Sequence, residues 1–115
     1  MINGLTKGLI IRGEHCQKIL DGLKTYEMRS RQTNFRGKIG LIVSGTKKIF
    51  GTANLYDVGK ETIIDAEDWH NRYPLHRCRE YMPQWPCIWM LKDVVKFDEP
   101  IPYAHKNGCV TWVNL

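Results

Sequence analysis

Apolar residues in this chain come in short runs, and turn-forming residues cut between them. "KGLIIR" (residues 7–12), "IGLIVSG" (39–45), "KIFGTANLYDVG" (48–59), "CIWMLKDVVKF" (87–97) and "CVTWVNL" (109–115) all have strand length and strand composition. Only "GEHCQKILDGL" (13–23) sets apolar side chains, Cys16, Ile19 and Leu20, at helical spacing, with Gly22 placed as a helix stop. The next segment, "KTYEMRSR" (24–31), alternates. Tyr26 and Met28 fall on one face, and Thr25, Glu27, Arg29 and Arg31 on the other, which predicts a half-buried strand. Five or six strands with one early helix predict an α+β, mostly-β domain, a small and strongly curved mixed sheet or barrel rather than a helical bundle.

The remaining segments connect these elements. "TNFRGK" (33–38) reads as a turn and "DEPIPYAHKNG" (98–108) as a Pro-rich loop. Gly51, inside an apolar run, predicts a bulge or a close backbone approach. "ETIIDAEDW" (61–69) is acidic and compatible with a short helix, while residues 70–86 mix helical and loop signals. At 115 residues and 43% apolar, the chain suits one domain spanning 1–115, with a core that needs no metal or disulfide staples.

Charge is distributed unevenly. Residues 24–48 carry seven basic side chains (Lys24, Arg29, Arg31, Arg36, Lys38, Lys47, Lys48) and one acid, Glu27, for a net +6, so the rest of the +5 chain nets −1. A local basic excess favours phosphate-bearing partners. No run of about 18 apolar residues is present, and the N-terminal residues lack the pattern of a signal peptide, so a cytoplasmic protein with reduced thiols and no membrane partner is expected. The spacing of Cys16, Cys78, Cys87 and Cys109 fits no usual metal scheme, even with His15, His70 and His76, so neither metal nor cofactor is expected. No Gly-rich phosphate loop, Ser-x-x-Lys or His-Glu-x-x-His motif occurs.

The stretch "LIIRGEHCQKILDGLKTYEMRSR" (9–31) resembles the opening signature of the activating-signal-cointegrator homology (ASCH) domain. In that signature a strand and a helix ending in Gly lead into Lys-x-x-Glu-x-Arg on the second strand, matched here by Gly22, Lys24, Glu27 and Arg29. The resemblance implies a β-barrel fold related to pseudouridine-synthase and archaeosine-transglycosylase (PUA) domains. It also implies a basic cleft beside the first helix and binding of RNA or a nucleoside or nucleotide ligand. Ligand-binding residues would be Lys24, Glu27, Arg29, Arg31 and Arg12. Arg29 would offer a planar fork to a phosphate or base edge, Lys24 a point charge, and Glu27 an acceptor for an exocyclic amine.

A second implication is catalytic. One branch of that family hydrolyses N4-acylcytidines, and ribonuclease activity is attributed to another. In the deacylase branch a threonine stands where this chain has Glu27, activated by the lysine that matches Lys24. The catalytic set in such an enzyme would be Lys24, Glu27 and Thr25, with Glu27 as base toward water or Thr25 as hydroxyl source, and with Glu61 or Glu67 as a further acid. A third reading is a protein-interaction module with a basic face; oligomeric state is left open. Trp89 and Trp112 read as core, Trp69 and Trp85 as candidates to face a ligand. Ser44, Tyr103, His105 and Lys106 lie where ligand contacts are common, and Cys16 reads as an inert buried thiol.

Overall fold

The structure, a computed structural model, describes residues 4–60 and 87–115. The expectations for residues 61–86, including the acidic helix and the roles of Trp69, Trp85, Glu61 and Glu67, lie outside the described residues. The elements are β1 (Lys7–Ile11), α1 (Gly13–Leu20), β2 (Tyr26–Arg29), β3 (Gly37–Val43), β4 (Lys48–Lys60), β5 (Cys87–Pro102) and β6 (Trp112–Asn114). The strands form one sheet in the order β2-β5-β4-β3-β1-β6. β1 pairs in parallel with β3, and every other pairing is antiparallel.

The sheet curls because its long strands are repeatedly out of step. β4 and β5 change register between Ile49 and Gly51, between Thr52 and Asn54, and between Leu55 and Asp57. Each extra residue increases local twist and bends its strand. As a result, β2 at one end of the strand order approaches β1 and β6 at the other. Arg29 on β2 donates to the Ile10 carbonyl of β1 at 2.6 Å, and Trp89 on β5 stacks on Trp112 of β6 with ring centroids 5.5 Å apart. The product is a half-barrel of six strands.

The interior face carries the main core: Leu9 and Ile11 from β1, Ile39 and Leu41 from β3, Ala53 and Leu55 from β4, and Cys87, Trp89 and Leu91 from β5. α1 closes this core with Cys16, Ile19 and Leu20. A smaller cluster of Ile42, Ile49 and Val113, joined by Ile10, Phe97 and Leu115, covers one part of the opposite face.

Two glycines are required by this geometry. Gly22 has φ +77° and follows the Asp21 C-cap; the Leu23 amide bonds the Lys18 carbonyl at 2.9 Å and the Gly22 amide bonds that of Ile19 at 3.1 Å. That pair of bonds is a Schellman stop, which ends α1 where the sequence places it. At Gly51 a Cβ would lie 2.3 Å from the Val95 carbonyl oxygen and 2.7 Å from Leu20, so α1 and β5 press directly on the bare backbone.

Two element expectations are corrected. The Pro-rich segment from Asp98 is strand as far as Pro102, because Lys48 and Ile49 of β4 pair with Pro102 and Ile101. The closing strand is limited to Trp112–Asn114, with Cys109 to Thr111 outside it.

Candidate functional site

β2 is short, and both of its faces are buried: Tyr26, Glu27 and Met28 are each 5% exposed or less. This corrects the half-buried expectation. Glu27 pairs with Trp89 and Arg29 with Cys87, so the two charged residues share the face of the interior core, while Tyr26 and Met28 take the other side. The alternation was real, but the polar side of the strand faces the barrel interior.

Inside, the charges form a chain of contacts. Lys24 leaves the Schellman turn at the helix–strand junction, 3% exposed, and its Nζ lies 3.8 Å from Glu27 Oε1. Arg29 Nη2 lies 3.7 Å from Glu27 Oε2 and donates to the Ile10 carbonyl, with its guanidinium 5.7 Å from the centroid of Trp89. Lys24 Nζ also lies 3.2 Å from His15 Nδ1, on the buried side of α1, and 5.3 Å from the Tyr26 ring centroid. Both contacts to Glu27 are at ion-pair distance and beyond hydrogen-bond reach. Arg29 Nε is buried with no hydrogen-bond partner among the described residues.

Burial acts on the neighbours as well. Desolvation lowers the pKa of Arg29, an effect that Glu27 opposes. Burial, with a smaller contribution from Glu27, pushes the Cys16 thiol up to about 12. A thiol in that state is neutral at physiological pH, which fits the inert role expected for Cys16.

The model of the ASCH domain matches residues 9–101. The chain belongs to the ASCH family. No curated protein matches its sequence significantly. Among solved structures it is similar to an ASCH protein from Zymomonas mobilis, with TM-score 0.68 and 18% identity over 95% of this chain and 86% of that one. A tyrosine-to-phenylalanine variant of the Zymomonas protein gives TM-score 0.68 and a serine-to-alanine variant 0.66, both again at 18% identity over 95% of this chain, covering 88% and 87% of theirs. At that identity the likeness concerns the PUA-like fold.

The ASCH barrel draws together only part of the residue set expected from sequence. Lys24, Glu27 and Arg29 are in mutual contact. Arg12 is exposed and pairs with Glu14 at 3.6 Å, at the N-cap of α1. Arg31 is exposed beyond the end of β2, and its backbone carbonyl accepts from the Trp89 indole at 3.0 Å. Thr25 is exposed, whereas Lys24 and Glu27 are buried. Ser44 and Lys106 are exposed, and Tyr103 and His105 pair with each other through Tyr103 Oη and His105 Nδ1 at 2.9 Å. Trp89 and Trp112 pack in or against the core, as expected.

His15 is the residue that sequence reasoning missed. It precedes Cys16 on α1, and its register toward Lys24 follows from the Schellman turn folding the chain back along the helix. The available signal was the spacing of nine residues across a helix stop, which carries no periodicity. Among the described residues, no cluster of three or more His, Cys, Asp or Glu side chains could hold a metal ion, and no helix is long and apolar enough to cross a membrane.

Proposed function

We propose that this ASCH domain binds RNA or a nucleotide-derived ligand, recognised by the Lys24–Glu27–Arg29 set. The observation that carries the reading is a net-positive ionic trio, with Lys24 and Glu27 buried and Arg29 half-buried, whose hydrogen bonds are incomplete among the described residues. Taking such charges out of water costs several kcal/mol per ion by general estimates, and ion pairing offsets this only when the remaining donors and acceptors are also satisfied. Here Glu27 meets both cations at 3.7–3.8 Å, and Arg29 Nε has no hydrogen-bond partner among the described residues. A ligand that gives Glu27 an N–H and accepts from Lys24 or Arg29 would complete the set, and base edges and phosphates supply those groups.

Direct titration of RNA oligomers and mononucleotides into the wild type and Glu27→Gln, at fixed salt, tests this reading. Binding by the wild type with a loss of about tenfold or more in a variant that still folds is expected, the cost of one mismatched polar contact. Equal affinity in the folded variant would remove Glu27 from the site.

A second reading is amide hydrolysis on an N4-acylcytidine-type nucleoside, with Glu27 as general base toward water. It is favoured by the proximity of a buried carboxylate and Lys24 Nζ at 3.8 Å. The exposed position of Thr25 gives no support to a hydroxyl nucleophile from that residue. Absorbance change on N4-acetylcytidine by the wild type, absent in Lys24→Ala, would turn the assignment to enzyme. Ribonuclease action would appear as cleavage in the RNA titrations.

A further inference from the structure

The face of the sheet opposite the main core is covered over only part of its area. Its buried cluster of Ile42, Ile49 and Val113 sits where β1, β3, β4 and β6 meet. Further along β3 and β4 the same face is open. Lys38 pairs with Asn54, and Asn54 pairs with Lys92, so the three residues form one cross-strand row. Their neighbours Ile39, Leu55 and Leu91 point into the main core, which puts the row on the outer side.

Beside this row Tyr56 is 45% exposed and Val95 is 54% exposed, both large apolar side chains. Tyr56 is the extra residue at the register shift between Leu55 and Asp57, and the Lys92 ammonium lies 5.0 Å from its ring centroid. A single exposed aromatic is ordinary on a protein surface. An aromatic ring held at a bulge, with a cation over it and a second cation about two strand spacings away, roughly 10 Å, is a more specific arrangement.

We propose that this open strip is a docking surface for single-stranded RNA, with Tyr56 stacking on a base and Lys38 and Lys92 contacting flanking phosphates. Asn54, half-buried between the two lysines, has an amide that can both donate to and accept from a base edge. Asp57 and Asp93 are exposed next to the strip, and Asp57 accepts the Val58 amide at 2.8 Å. These acids repel phosphate, so they confine the backbone of the strand to the Lys38–Asn54–Lys92 row. Stacking on an aromatic platform combined with cationic backbone contacts is sequence-tolerant and suits an unpaired strand. This surface rests on the RNA-binding reading and extends it, because it lies on the other side of the sheet from Glu27 and makes a strand, rather than a free nucleotide, the preferred ligand.

The test is fluorescence anisotropy with a labelled oligouridylate of about twelve nucleotides, a length within the range that such folds occupy. Calorimetry with uridine monophosphate is run in parallel on the same proteins. The Tyr56→Ala/Lys92→Ala double variant should bind the oligomer between about fivefold and a hundredfold more weakly and leave mononucleotide binding unchanged. Tyr56→Phe, which keeps the ring, should bind the oligomer like the wild type. Lys38→Ala should lower the salt dependence by about 0.7 in log–log slope.

Wild-type oligomer affinity in the double variant would overturn the proposal. So would a wild type that binds the oligomer no more tightly than the mononucleotide, an outcome that leaves the interior site standing. A wild type that binds neither probe would remove both.

Discussion

Lys24 Nζ lies 3.2 Å from His15 Nδ1, and both side chains are almost wholly buried. An ammonium has only protons to give, so Nδ1 accepts and the ring proton sits on Nε2. The contact joins the buried side of α1 to the start of β2 and fixes where the Lys24 charge points.

His15→Ala should therefore destabilise the fold by roughly 1–3 kcal/mol, since it leaves a buried donor without that acceptor. His15→Gln can present an oxygen to Lys24 and should recover part of the loss. Urea unfolding followed by far-ultraviolet circular dichroism measures both. Equal stability of all three proteins would show that the contact has no energetic role.

Glu27 is the only acid within the trio, placed between two cations. Glu27→Gln keeps the shape and removes the charge, leaving the buried Lys24 and the half-buried Arg29 without that counter-ion. A loss of roughly 3–5 kcal/mol is expected, the cost of breaking a buried pair from one side. Raising the salt concentration should restore little of it, because a buried interaction is poorly screened.

Arg29 acts as a latch across the curl of the sheet through the Ile10 carbonyl and the Trp89 ring. Arg29→Ala should cost about 2–4 kcal/mol, combining a charge-assisted hydrogen bond with a partly desolvated cation–π contact. Arg29→Lys keeps the charge but not the fork and should fall between the two. Thermal melts order the three proteins, and binding comparisons on Arg29 variants have meaning only at temperatures where all are folded.

The Cys16 thiol, pushed up to about 12 from an ordinary value of 9.0, makes stability depend on alkaline pH. Its contribution is fully present below pH 9. It is lost as pH rises toward 12, because the unfolded chain releases the proton while the folded chain still holds it. The slope approaches about 1.4 kcal/mol per pH unit, and Cys16→Ala should flatten the alkaline limb of the stability profile. In native protein at neutral pH, alkylation mapped by mass spectrometry should label the half-exposed Cys109 well before Cys16 or Cys87.

Gly51→Ala and Gly22→Ala separate two reasons for a glycine. A Cβ at Gly51 meets the Val95 carbonyl and Leu20, so β5 or α1 must move, whereas Gly22 has open space and only its φ of +77° to oppose a side chain. Gly22→Ala should cost about 1–2 kcal/mol. Gly51→Ala should cost more, beyond the roughly 1–3 kcal/mol usual for overpacking, because the obstacle is backbone. Denaturant midpoints of the two variants compare them directly.

Among the described residues, the sequence by itself determined which elements form and in what order, apart from the extent of β5 and β6. The apolar runs at β1, β3, β4 and β5, the helical spacing of Cys16, Ile19 and Leu20, and the Gly22 stop are all local patterns, and local backbone preference is enough to read them. The Lys-x-x-Glu-x-Arg segment was legible as a motif for the same reason. Tertiary structure alone decided which way that motif faces. Alternation separates Glu27 and Arg29 from Tyr26 and Met28 but does not name the inner side, because a strand covered on both faces gives no solvent reference. The inner side was chosen by pairing Glu27 with Trp89 across β5 and by the curl that brings Arg29 to Ile10, contacts between residues far apart in the chain. The same long-range pairing extended β5 through a Pro-rich segment that reads locally as loop, placed His15 against Lys24, and left Arg12 and Arg31 outside the group they were expected to join.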